Sequence, residues 1–366
     1  MKLRFVTLVT AIVAASLVAG AVAPFGASDT RRPLKRAERR AQSLAVDALG
    51  LIQLSRDEAE PSYLPVARRR LERSLILQPE DNFAAFVGMA SLSNASHDFS
   101  SSVTWARRAI RVNPYNASPY GLLGDALFEL GRTRRSDVAY QKMIDRRPDV
   151  ASYVRASYSA QSHRRWGAAL RAMSLAIQAA PPLGEQAAWL RHQRGDIYAT
   201  LGRYGRALRE NRIGQRLAPG YIPPTVGAAE ALIKLGRLEE AVPIMERAVE
   251  ELPAVEYLVT LGNAYRKLGR DRLARTVYDR AAVRLAHYRR NGVLPDVDFI
   301  LFYAHRGYRL RKGLEEAHAV FADRPTAAAA NALAWMLHAN SRDRAAARYA
   351  RIAVAGGSRG ARRLLD

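Results

Sequence analysis

Four short stretches of this chain carry almost the same phrase: LLGDALFELGR at 122–132, QRGDIYATLGR at 193–203, GAAEALIKLGR at 227–237 and LGNAYRKLGR at 261–270. Gly202, Gly236 and Gly269 are spaced by 34 and 33 residues, and so are Pro114, Pro148 and Pro181. Pro219 and Pro253 are again 34 apart. A fixed period of this length is the mark of stacked supersecondary units, none of which can bury its apolar face alone.

The pattern inside one unit is that of a helix pair. Leu258, Leu261 and Tyr265 fall at helical spacing on one face, and Gly269-Arg270 then stops the helix. Ala274, Tyr278 and Ala281 mark a second helix of the same kind. Two antiparallel helices of about 12 residues joined by a tight turn follow from this spacing. Gly262, small and beside Leu261, suits a close helix crossing, with larger side chains filling the gaps around it.

In the order Leu-Gly, Tyr, Gly, Ala, aromatic, Ala, Pro, these units resemble the tetratricopeptide repeat family. The unit at 117–148 carries Tyr120, Leu123, Gly124, Leu127, Gly131, Tyr140 and Pro148, and the unit at 188–219 carries Gly195, Tyr198, Gly202, Ala207, Gly214 and Pro219. The unit at 222–253 follows suit, while that at 150–181 lacks the turn glycine. The resemblance implies an all-α, right-handed superhelical solenoid of antiparallel helix pairs. The expected array covers 41–357 in about nine pairs, clearest at 117–285. Degenerate pairs are expected at 36–79, with RDEAEPSYLP at 56–65 as a loop, at 86–114 with Asp98 as a helix cap, and at 298–324 and 327–355. Residues 358–366 remain for a short cap or tail.

The family's first helices line a concave groove in which partners bind. Helical phase then assigns to the groove Asp125, Phe128, Tyr158, Gln161, Trp189, His192, Asp196, Glu230, Ile233, Asn263 and Arg266, with Val226 and Glu256 beside them. Asp125, Asp196 and Glu230 fall in equivalent slots. The stripe leans acidic and aromatic. It reads either as solvated polar positions or as a groove for a basic or extended peptide. The Lys/Asn clamp by which some family members hold a peptide's terminal carboxylate is not visible in these slots.

Charge allows a second kind of partner. The chain of 366 residues has 57 Lys+Arg against 34 Asp+Glu, a net charge of +23, and only six of the 57 are lysine. Such a surface attracts polyanions such as nucleic acid, anionic lipid or an acidic envelope polymer. A coding bias towards arginine and alanine is the plainer explanation, and nucleic acid is not the favoured partner.

The first thirty residues have the order of a secretory signal. Lys2 and Arg4 precede the charge-free Phe5–Ala23, 19 residues ending in small side chains. That run is also long enough to span a bilayer as an anchor. The basic stretch RRPLKRAERR at 31–40 follows as a linker, against the preference of positive flanks for the cytoplasmic side. Export or membrane tethering of the body is the expectation, and a cytoplasmic body behind an anchor is the alternative.

Little in the chain suggests catalysis. There is no cysteine, and the seven histidines form no H-x-x-x-H pair. GGSRG at 356–360 matches a nucleophile elbow in letters only, since an alanine-rich helix precedes it where a strand is required. No catalytic residue, metal or cofactor is expected, and the chain reads as a non-enzymatic interaction scaffold.

Overall fold

The computed structural model describes residues 36–358 and 360–365. The apolar stretch Phe5–Ala23 and the first half of the basic stretch lie outside them. Eighteen α-helices, no strand and a terminal 3-10 turn are found among the described residues. The helices pair as α1 (Arg36–Asp57) with α2 (Tyr63–Leu77), α3 (Phe83–Ala95) with α4 (Phe99–Val112), and α5 (Ser118–Glu129) with α6 (Thr133–Arg146). Next come α7 (Val150–Ser162) with α8 (Trp166–Ala179), α9 (Glu185–Thr200) with α10 (Tyr204–Leu217), and α11 (Ile222–Lys234) with α12 (Leu238–Glu251). The last three pairs are α13 (Val255–Lys267) with α14 (Asp271–Arg290), α15 (Val297–Arg306) with α16 (Leu310–Asp323), and α17 (Ala327–Ala339) with α18 (Asp343–Ala355).

Every turn within a pair passes through a left-handed residue, Ala59, His97, Gly131, Arg164, Gly202, Gly236, Gly269, Gly307 or Ser341, and the turn of the eighth pair adds a second, Arg309. The amide after it donates to the carbonyl five residues back, as in Arg132 to Leu127, Arg165 to Ala160 and Arg342 to Leu337. This is the Schellman closure of a helix end. The unit at 150–181 therefore keeps the turn without the glycine, at the local cost of placing Arg164 at φ 56°. Between pairs, Asn113, Arg147, Ala218 and Leu252 are extended, as a residue preceding proline must be.

Asp98 caps α4 as its position suggested, its side chain accepting from Ser101 N at 3.1 Å. Two boundaries differ from the sequence reading. Helix α1 starts at Arg36, so the second half of the basic linker is helical, with Glu38 in its first turn offsetting the charge. The 56–65 loop is shorter, since α1 runs on to Asp57 and α2 begins at Tyr63 with Pro65 in its first turn, where the missing amide costs nothing. GGSRG does end a helix: Gly356 caps α18 and Gly357 is at φ 90°. Behind it Ala361 is fully buried, and the Gly360 carbonyl accepts from Trp335 Nε1 at 3.3 Å.

Close crossings hold the third and seventh pairs. A Cβ on Gly262 would strike the ring of Tyr278, and one on Gly124 the ring of Tyr140. First helices of adjacent pairs also pack on each other, α1 on α3, α3 on α5, α9 on α11 and α15 on α17. No second helix packs extensively on another second helix. The first helices are thus the inner, concave side of the curve.

The curve closes on itself after six pairs. The carbonyl of Ala59, in the first turn, accepts from Tyr288 Oη at 3.0 Å, and Glu60 meets His287 Nε2 at 2.7 Å. The carbonyl of Ser96, in the second turn, accepts from Leu294 N at 3.0 Å, and His97 lies 3.8 Å from Asp296. At the third, Arg324 lies 3.8 Å from Glu129 and binds Asp296 at 2.9 Å. At the fourth, Arg164 reaches the carbonyl of Gly357 at 3.4 Å. The turns of the first four pairs rest on the ends of the last three along one seam.

Candidate functional site

Counting back from the left-handed turn residue gives each first helix two inward slots, six and three residues earlier. From the first pair to the ninth these are Gln53/Arg56, Ser91/Asn94, Asp125/Phe128, Tyr158/Gln161, Asp196/Ala199, Glu230/Ile233, Asn263/Arg266, Leu301/Ala304 and Trp335/His338. The equivalence of Asp125, Asp196 and Glu230 holds in the structure. The slots of the first, second, eighth and ninth pairs lie outside 117–285, where the repeat pattern is clearest, and in three of these pairs Ala59, His97 and Ser341 replace the turn glycine.

Several polar slots bond along the groove to the next repeat. Asp125 is 2% exposed and takes two bonds from Arg155, at 3.0 Å from Nε and 2.7 Å from NH2. Tyr140 of its own repeat donates to it at 3.1 Å. Burial works against the Arg155 charge, but Asp125 outweighs it and raises the guanidinium pKa. Tyr158 donates to Gln193 at 3.2 Å, Thr260 to Glu230 at 3.5 Å, and Arg306 to Asn263 at 2.7 Å. Asn263 also accepts from Tyr278 at 3.0 Å, repeating the Tyr140–Asp125 bond.

The first of the three equivalent acids is therefore neutralised inside the protein. Asp125 is committed to an ion pair, and its partner Arg155 was not among the sequence candidates. Asp196 is half-buried and lies 3.5 Å from His192, whose Nδ1 faces Asn211 at 2.8 Å. Trp189 is packed in the core with Tyr158, Leu190 and Ile197, away from the open face to which its phase assigned it. Gln161 is buried and turns back to Ser157, and Val226 is buried as well. Phe128 and Ile233 are half-buried against the core, while Arg266 and Glu256 are exposed. Beyond Arg266, the His305 ring meets that of Trp335 at 4.8 Å, tilted by 56°, and burial lowers its pKa to about 4.

Arg56 differs from every other slot residue. None of its three guanidinium nitrogens has a hydrogen-bond partner or solvent access. Burial lowers its pKa to about 10, against the opposing pull of Asp125 and Asp57 and with a further push from Arg155. Gln53 Oε1 and Asn94 Oδ1, in neighbouring slots, are likewise buried and unbonded.

No group of three or more His, Asp or Glu able to hold a metal occurs among the described residues. No described helix is long and apolar enough to cross a membrane.

Comparison with known proteins agrees with this architecture. The tetratricopeptide repeat model matches residues 226–251, within the sixth helix pair. Anaphase-promoting complex subunit 7 of Arabidopsis thaliana is 26% identical over 155 residues, 42% of this chain and 27% of that protein. The chain thus spans about a quarter of the curated relative it matches. Among solved structures, human IFIT1 in its dimer with PPP-AAAA superposes with a TM-score of 0.54 at 16% identity, over 85% of this chain and 72% of that one. The APC/C hetero-tetramer Cut9-Hcn1 gives 0.51 at 14% identity, over 96% and 68%. The sequence period, the repeated turn closure and these likenesses agree on a tetratricopeptide-type array of helix pairs, with the family's own model matched over residues 226–251.

Proposed function

We propose that the chain is a non-enzymatic scaffold that holds an extended segment of a partner protein along its first helices. The single observation that carries this reading is the continuous pair of slots running in register from Gln53/Arg56 to Trp335/His338. A preformed surface of this kind pays little ordering cost on the scaffold's side. Repeat arrays of this family commonly assemble protein complexes, and the similarity to a subunit of the anaphase-promoting complex supports the same general role. Export or tethering by Phe5–Ala23 belongs to this proposal, with the body outside the cytoplasm.

The test is capture of partners by the full chain and by the double variant Asp196→Arg, Glu230→Arg. Both residues lie in slots that are only half-buried, so helicity and melting temperature should stay near wild type. Loss of a partner that wild type holds supports groove binding, and equal capture removes it. Salt addresses the polyanion alternative, whose binding would weaken steeply between low and moderate salt. Protease accessibility of residues 41–366 in sealed native vesicles tests the side of the membrane.

A further inference from the structure

The convex side carries a charge pattern of its own. Helices α10 and α12 are the second helices of consecutive repeats, and the turn glycines before them, Gly202 and Gly236, are 34 residues apart. Residues 34 apart therefore stand at the same height on the two helices. Opposite the buried face of α10 lie Gly205, Arg209, Arg212 and Arg216, and the same row of α12 holds Glu239, Pro243, Glu246 and Glu250. All are exposed except Glu246, which is half-buried and takes the Tyr265 hydroxyl. The only acid of α10, Glu210, is turned away to Arg191 and Arg194. Helix α12 has five glutamates against one arginine, Arg247, so a basic ridge stands beside an acidic one. The ion pairs at this surface are Arg237–Glu240 and Arg270–Glu239, and neither uses Arg209, Arg212, Arg216 or Glu250.

Two adjacent ridges of opposite charge are complementary to themselves. A twofold axis running between α10 and α12, parallel to both, lays α10 of one copy over α12 of the other and the reverse. The operation preserves height, so Arg216 faces the second copy's Glu250. Arg209 lies across from the short Pro243 and one turn from Glu239, whose side chain stays largely exposed beside Arg270. Gly205, where an added Cβ would meet nothing within 4 Å, leaves room for Glu239 in return. A long uniform polyanion fits this surface less well, because the glutamates of α12 repel it beside the arginines. We infer that the chain self-associates back to back through α10 and α12, as an isologous dimer whose two grooves face outwards. The convex faces meet along a narrow strip of exposed ion pairs, each worth little by itself, so the association is weak and salt-sensitive. This surface lies opposite the groove, which keeps self-association separable from partner capture.

Sedimentation of the full chain in non-ionic detergent, over a range of protein and salt concentrations, tests the dimer. Two double variants each reverse one ridge: Arg209→Glu with Arg216→Glu, and Glu239→Arg with Glu250→Arg. All four side chains are exposed, so helicity and melting temperature should stay near wild type. Wild type should show a monomer–dimer equilibrium at low salt that shifts to monomer as salt rises. Each variant alone should associate roughly tenfold or more weakly, because like charges then face each other. An equimolar mixture of the two should restore the dimer, since a wholly acidic face then meets a wholly basic one. Monomeric wild type at low salt overturns the dimer, and so does either variant associating as wild type does. A mixture that stays monomeric also overturns it, by showing that the reversals act through something other than pairing. Monomeric wild type that binds duplex DNA, with binding lost in the arginine variant, assigns the ridge to a polyanion instead.

Discussion

The fifth and sixth pairs, α9 to α12, differ from the pairs on either side of them. Their bonds stay local: Arg194 to Glu210, His192 to Asn211, Gln215 to Thr225, Glu230 to Thr260. The first four pairs and the last three have neighbours of this kind and also touch across the seam, between residues more than 190 positions apart. The middle is thus a simple nearest-neighbour stack, whose stability is a sum of repeat and interface contributions. The ends are coupled to each other at long range, and the coupling is built largely from charge. A one-dimensional repeat array thus acquires a closed, domain-like cooperativity from a few side chains in its turns.

The largest effect on this contrast should come from Arg324→Ala. Arg324 is 3% exposed, binds Asp296 and the Pro295 carbonyl, and lies over the Phe99 ring at 5.1 Å. Its loss leaves Asp296 and Glu129 buried without their cation, at about 3–5 kcal/mol. Amide exchange should accelerate both near Phe99 and near Thr326, and faster exchange on one side only would break the idea of coupling.

Met245→Ala is the counterpart in the middle stack. The side chain is fully buried, so about 2–5 kcal/mol is expected from urea unfolding, with exchange in α3 and α4 unchanged. Gly262→Leu should cost about 1–3 kcal/mol, because the new side chain meets the Tyr278 ring at a crossing that cannot widen freely.

Acid should weaken the seam before it weakens the stack. Burial raises the Glu60 pKa, but hydrogen bonds from His287 and the Ser62 amide outweigh it and hold the carboxyl at about 2. A depressed carboxylate contributes stability that is complete above its unfolded value and lost as pH falls through the folded one. The stability difference between wild type and Glu60→Gln should therefore shrink as pH drops from about 4.5 towards 2. A difference independent of pH in this window would remove Glu60 from the clasp. The smallest effect is a gain: Ser341→Gly relieves a left-handed residue at φ 58°, and should raise stability by about 1 kcal/mol.

Much of the fold was legible because it is written in local signals. Gly131, Gly202, Gly236 and Gly269 mark turns, the prolines mark the gaps between pairs, and apolar spacing marks the faces. Legibility failed where a signal was replaced by an ordinary residue. Arg164 and Ser341 adopt the turn conformation that glycine announces elsewhere, and nothing in their identity says so. The groove was legible as a set of positions and less so as a set of charges. Helical phase placed Asp125 on the inner face, but its neutralisation by Arg155 depends on the distance between adjacent first helices. Trp189 shows the same limit: helical phase marks it as open, and the apolar cluster it forms with Tyr158, Leu190 and Ile197 covers it.

The unit, its period and the approximate number of copies are written in the chain, because a helix pair is specified by contacts within some thirty residues. Tertiary structure alone decided the curvature of the stack, the pairing of charges between repeats and the seam joining residue 60 to residue 287. The physical reason is that small rotations at each interface add up along the chain, and no single repeat encodes where the sum will bring its ends.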